Sequence, residues 1–218
     1  VKPSSSRETA YPQPRACFDG YHHRLRFRQY REPSSRTKKA DINAKVSKDP
    51  TIIAQSDVLF LPGVGAFKDA MDKLKATGLI PSIDAHVSKQ KPLIGICLGM
   101  QLLYEQSFEH GVTPGLGYLK GDVTRIKSSN PVPHMGWNSL DLNPQGHPLF
   151  KYLDKDPYVY FVHSYKVPDD SFIIATTNYG ETIPAIVQKD NIIAMQFHPE
   201  KSAEDGLALL RALSEMIT

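Results

Sequence analysis

From Asp41 onward the chain alternates short, wholly apolar runs with stretches in which apolar side chains recur every three or four positions. The run Val58-Leu59-Phe60-Leu61 holds no polar residue, which predicts a strand over 56–61 buried on both faces. It ends in the turn Pro62-Gly63-Val64-Gly65. Ala66, Ala70, Met71 and Leu74 then share one face of a helix over 66–76, and a second helix is expected at 80–88. Pro92-Leu93-Ile94-Gly95-Ile96 predicts another buried strand, with helix resuming over 99–104. The middle of the chain, 115–190, has a different texture, with short strands at 123–126, 158–162, 173–176 and 185–188 punctuated by Pro, Gly and Asn. A last strand at 192–197 and a closing helix at 203–216 complete an alternation that belongs to a layered α/β domain.

Composition narrows this picture. A chain of 218 residues with 40% hydrophobic content buries one full core, so one domain with one site is expected. No apolar run approaches the roughly 18 residues that span a bilayer, and the first residues do not form an export signal. We expect a soluble, cytoplasmic protein without membrane association. Its two cysteines, Cys17 and Cys97, suit neither a disulfide framework nor a paired-cysteine metal site. The net charge of +3 hides an asymmetry: residues 1–40 hold ten Lys or Arg against three acids, and the remainder holds sixteen against twenty. A general affinity for nucleic acid is therefore not expected of the domain.

The chemistry gathers at two strand ends. Gly95-Ile96-Cys97-Leu98-Gly99 follows a buried strand and opens a helix, the context of a nucleophile elbow with Cys in place of Ser. Flanking glycines remove Cβ atoms that would crowd the turn, and the positive end of a helix favours a thiolate, the attacking species. A buried core cysteine is the bland reading of the same residue. Gln196-Phe197-His198-Pro199-Glu200 supplies a base, and a group to orient it, at the end of another strand. In a parallel sheet ligands gather at the carboxyl ends of strands, so Cys97 and His198 are expected to converge. An oxyanion hole needs backbone donors; the Leu98 amide and the Pro62–Gly65 turn are the candidates.

With Gly-Ile-Cys-Leu-Gly-Met-Gln at 95–101 and Phe-His-Pro-Glu at 197–200, the sequence resembles the class I, triad-type glutamine amidotransferases. Within them it is similar to the glutaminase subunits of imidazole glycerol phosphate synthase, through Leu61-Pro62-Gly63-Val64-Gly65-Ala66-Phe67, Pro133-His134-Met135-Gly136-Trp137-Asn138, Tyr160-Phe161-Val162-His163-Ser164-Tyr165 and His198-Pro199-Glu200-Lys201-Ser202. The resemblance runs from about Ile42 to the C-terminus. It implies a flavodoxin-like three-layer domain over 41–218, with a mainly parallel central sheet and a smaller antiparallel portion in the 120–190 region. It implies that glutamine is hydrolysed through a Cys97 thioester, with His198 as acid and base, Glu200 orienting it, and no cofactor. Gln101 and Glu109 fall where the family contacts glutamine, and Val64 or Gly65 where it supplies an oxyanion amide. His134, Trp137, His163, Tyr165 and Lys201 fall where it meets a (β/α)8-barrel cyclase subunit in a heterodimer that receives the ammonia. Taken alone, Trp137 and Tyr165 read as core aromatics. His134 and His163 lack further ligands at metal spacing, so no metal is expected. The same triad also serves amidotransferases of anthranilate, GMP and carbamoyl phosphate synthesis. A stand-alone cysteine hydrolase of γ-glutamyl peptides and a non-catalytic binding subunit are further readings.

Residues 1–40 stand apart. They are basic, carry four prolines and hold no sustained period, which by composition reads as disorder. The family's opening strand and turn, resembling Ile-Ile-Asp-x-Gly-x-Gly-Asn, is absent from them. Read one base later, the codons of Tyr21-His22-His23-Arg24 permit only Ile or Thr at three positions, and those of Gln29-Tyr30 only Asn or Ser. One permitted translation from Asp19 is Met-Val-Ile-Ile-Ile-Asp-Ser-Gly-Ser-Gly-Asn-Ile-Ala-Ser. We therefore expect this segment to be a frame-shifted or upstream translation that returns to frame near Lys38-Lys39. A native basic arm for RNA or an acidic partner is the competing reading. The chain as written is expected to lack a strand of its sheet.

Overall fold

The computed structural model describes residues 16–19, 44–143 and 146–217. In chain order it has strands β1 (Ala16–Asp19) and β2 (Ala44–Ser47), helix α1 (Pro50–Gln55), β3 (Val58–Gly63), helices α2 (Phe67–Thr77) and α3 (Ile80–Ser88), β4 (Leu93–Cys97) and the short helix α4 (Leu98–Leu102). There follow β5 (Tyr104–Ser107), β6 (Thr113–Pro114), β7 (Leu119–Arg125), β8 (His134–Ser139), β9 (Asp141–Leu142), β10 (Tyr158–His163), β11 (Tyr165–Lys166), β12 (Ile173–Asn178), β13 (Thr182–Lys189) and β14 (Ile192–Met195). A 3-10 turn at Pro199–Lys201 leads into helix α5 (Ala203–Met216).

The main sheet runs β2-β1-β3-β4-β14-β13-β12-β9. Its first five strands are parallel, and β13, β12 and β9 continue it antiparallel. Alternation along β3 and β4 feeds two cores. Leu59, Leu61 and Leu93 pack with Ile53 of α1, Phe67, Met71 and Leu74 of α2 and Ile83 of α3. Val58, Phe60, Ile94 and Ile96 pack on the other face with Leu209, Leu210 and Leu213 of α5. This is the three-layer arrangement expected, because strands covered on both faces need apolar residues at every position. Burying a leucine such as Leu213 completely is worth about 2–5 kcal/mol against alanine.

Local chemistry sets the helix ends. Asp49 caps α1 by accepting from the Thr51 amide at 2.8 Å, and Pro50 fits the first turn, where no backbone donor is required. Helix α2 stops at Gly78, whose φ of +68° is left-handed.

Several elements differ from the sequence reading. Helix α4 ends at Leu102, and the chain re-enters as β5 at Tyr104, because the apolar run Leu102-Leu103-Tyr104 is buried in either conformation. Of the N-terminal segment, Ala16–Asp19 forms a strand between β2 and β3. The expectation that the chain as written leaves a gap in its sheet is thus not met. The rest of that segment, with the disorder expected of it, lies outside the described residues.

Two smaller sheets lie beyond the main one. A four-stranded sheet runs β11-β7-β5-β6, and β10 and β8 form an antiparallel two-stranded ribbon in which His134 pairs with His163 and Trp137 with Tyr160. No described helix is long and apolar enough to cross a membrane.

Candidate active site

Cys97 is the last residue of β4 and the N-cap of α4, with φ +55° and ψ −115°. A non-glycine residue with positive φ is strained and persists only where its surroundings hold it. Here the hold is close packing. A Cβ on Gly99 would lie 1.7 Å from the Leu61 carbonyl oxygen, and one on Gly95 would lie 2.9 Å from Leu103 Cδ1. The glycines therefore let the elbow sit against β3 and α4, rather than merely clearing space around the sulfur.

His198 leaves the sheet just past β14, and its Nδ1 bonds Glu200 Oε1 at 2.8 Å. Its Nε2 is buried without an aligned hydrogen-bond partner and faces Cys97. Burial alone would lower the pKa of this imidazole, but Cys97 and Glu200 outweigh burial and raise it well above the usual histidine range. Burial would likewise raise Glu200, yet the hydrogen bond and charge of His198 hold it below the usual carboxylate range. The surroundings of His198 thus favour its protonated form.

The loop carrying His198 is tied to its neighbours. The buried Ser202 hydroxyl donates to the His198 carbonyl at 2.6 Å and accepts from the Tyr160 amide at 3.0 Å, while the His198 amide donates to the Tyr160 carbonyl at 3.0 Å. Two residues along β10, the Val162 carbonyl lies 3.9 Å from Cys97 Sγ. The β8–β10 ribbon therefore touches both Cys97 and His198.

Among the other predicted site residues, Gln101 is buried. Its Nε2 donates to the Tyr165 carbonyl and to Gln196 Oε1, both at 3.0 Å, and Gln196 Nε2 lies 4.0 Å from Cys97 Sγ. Leu98 is the first residue of α4, so its amide has no acceptor within the helix. Gly63 pairs with Cys97 across β3 and β4, which brings Val64 and Gly65 to the mouth of the elbow; Val64 is 68% exposed and Gly65 has φ +94°. Glu109 accepts from the Phe67 amide at 2.6 Å, capping α2 immediately after that turn.

The five residues assigned to a partner divide. Trp137 (52% exposed) and Lys201 face outward, and Tyr165 is half-buried. His134 and His163 are buried in the chain on its own. No group of three or more His, Cys, Asp or Glu among the described residues is arranged to hold a metal. Sequence reading passed over Gln196, the Val162 carbonyl and Asn138. Only Gln196 left a signal, as a polar residue inside the apolar strand run 192–197.

The class-I glutamine amidotransferase family matches residues 19–212. The chain belongs to this family. The imidazole glycerol phosphate synthase subunit HisH of Oceanobacillus iheyensis is 53% identical over 174 residues, covering 79% of this chain and 86% of that one. The protein of the same name from Aquifex aeolicus is 47% identical over 167 residues, covering 76% and 80%. The structure of PurLQS from Thermotoga maritima, 19% identical, superposes with a TM-score of 0.66 over 95% of this chain and all of that one. In this amidotransferase fold, the parallel strands β4 and β14 bring Cys97 and His198 to one end of the sheet.

Proposed function

We propose that the chain is the glutaminase subunit of an imidazole glycerol phosphate synthase of histidine biosynthesis, working in the cytoplasm with a (β/α)8-barrel cyclase. The observation that carries this reading is Cys97, held at a strained elbow beside a buried His198 whose Nδ1 bonds Glu200 Oε1 at 2.8 Å. The sulfur of Cys97 attacks the glutamine carboxamide carbon. The carbon–nitrogen bond then breaks, and ammonia leaves with the proton that His198 supplies. Water, deprotonated by His198, cleaves the thioester to give glutamate and restore the thiol. The Leu98 amide and one from Val64 or Gly65 receive the oxyanion. Gln101 and Glu109 hold the substrate glutamine. Kinship with HisH proteins of two distant bacteria supports the subfamily over other amidotransferases. The outward Met135, Trp137 and Lys201 offer the aromatic and charged surface on which the cyclase docks. The cyclase adds the ammonia to a phosphoribulosyl aminoimidazole-carboxamide, yielding imidazole glycerol phosphate and an aminoimidazole carboxamide ribotide.

Ammonia release from glutamine, with and without the cyclase and its ligand, tests this. Release should rise when both are added and fall on the order of 1000-fold or more in Cys97→Ala. Activity that survives the substitution, or full activity without a partner, would overturn the reading.

A further inference from the structure

The two buried histidines belong to a hydrogen-bonded chain whose polarity is set at both ends. His163 Nδ1 lies 2.8 Å from the Tyr165 carbonyl, which only accepts, so Nδ1 carries the proton and Nε2 is bare. His134 Nδ1, 3.1 Å from that bare nitrogen, must be the donor, which leaves His134 Nε2 bare in turn. Asn138 Nδ2, at 3.3 Å, donates to it. The orientation of the Asn138 amide is fixed independently, because Nδ2 also donates to the Asn178 carbonyl at 2.9 Å and Oδ1 accepts from the Ser139 amide at 2.9 Å. One arrangement of protons satisfies every bond. His134 is held flat between Phe161 and Tyr179, with ring centroids at 4.6 and 4.0 Å.

The inner end of this chain matters to the site. The Tyr165 carbonyl accepts from both His163 Nδ1 and Gln101 Nε2, so the histidines fix the acceptor on which Gln101 is anchored. The outer end lies on β8, whose opposite face carries Met135 and Trp137, 61% and 52% exposed. We propose that His134 and His163 are positioning residues of the glutamine site, holding the Tyr165 carbonyl for Gln101 and tying that anchor to the strand whose outer face carries Met135 and Trp137. Both rings stay neutral for this: burial pushes His134 down to about 4 and His163 to about 3, the latter helped by the neighbouring His134 and His198. A second proton on His163 would set two donors against each other.

The inference rests on the reading that Gln101 contacts glutamine, and the test separates the two. Steady-state glutaminase kinetics are measured in the complex with the cyclase for Gln101→Ala, His134→Ala and His134→Asn, together with the rate of Cys97 alkylation by iodoacetamide. Gln101→Ala and His134→Ala should each raise KM for glutamine about tenfold and lower kcat by less than about threefold. His134→Asn should recover most of the loss, since its amide N–H stands where Nδ1–H stood. Alkylation should stay within about twofold of wild type. An unchanged KM in Gln101→Ala would sink the reading of Gln101 itself. A raised KM there with a normal one in His134→Ala would overturn only the role of the histidines, as would an Asn variant no better than Ala, or alkylation falling in parallel. Should His134→Ala not fold, 15N NMR of the wild-type imidazoles at pH 7 decides: both rings must be neutral and protonated at Nδ1, and an Nε2-protonated His163 overturns the proposal.

Discussion

At the scale of single residues, the site works by setting one strong preference against another. Cys97 occupies backbone space that its own Cβ disfavours, and His198 holds a charge that its burial disfavours. Glu200 is one of the two groups that keep His198 protonated, the other being Cys97. Replacing Glu200 with Gln keeps the shape and an acceptor but removes the charge, so the His198 pKa should fall. The sign follows directly. A base whose protonated form loses a stabilising anion gives up its proton at lower pH, so the alkaline limb of kcat/KM should move to lower pH in Glu200→Gln, with kcat reduced roughly 10–100-fold. A pH profile of glutamine hydrolysis checks it, and a limb that stays in place would remove Glu200 from this role. The convergence of Cys97, His198 and Glu200 was legible in the sequence because Gly-Ile-Cys-Leu-Gly and Phe-His-Pro-Glu each close an apolar strand. The histidine chain was not, since a residue pairing across 29 positions leaves no period to read.

At the scale of elements, the long periodic segments were readable and the short ones were not. Helix α3 and helix α5 lie at the residues their apolar spacing predicts, because each buries one continuous stripe. The two-residue strands β6, β9 and β11 are too short to show a period, and β8 hides behind Gly136 and its exposed Met135 and Trp137. The fit between β3 and α4 depends on one missing methyl group. Gly99→Ala would drive a carbon into the Leu61 carbonyl, which only a shift of the elbow relieves. We expect this variant to lose about 3 kcal/mol in urea unfolding and most glutaminase activity. Wild-type stability with wild-type kcat would contradict the packing described.

At the scale of the whole molecule, the question is what completes the sheet. Ala16–Asp19 occupies a slot between β2 and β3, yet the residues that follow it are basic and lack the family's opening strand and turn. We propose that residues 1–38 are a frame-shifted or upstream translation and that the natural slot is filled by the β-branched run encoded one base later, from Asp19 onward. Sequencing the start of the gene, with the intact mass of the natural protein, tests this: an unshifted frame and a mass containing residues 1–38 would exclude it. The amino acids as written show no period there, and the proposed strand is legible only through the codons that those residues allow.

The β8–β10 ribbon has a further consequence. It is a sheet of its own, paired strand to strand, and its ties to the catalytic loop run through the amide and carbonyl of Tyr160 rather than through a ladder shared with the main sheet. The hydrogen bonds that make the chain fold and those that aim its chemistry are therefore largely separate sets. A substitution in the ribbon can re-aim the His198 loop while the ladder of the main sheet stays as it is.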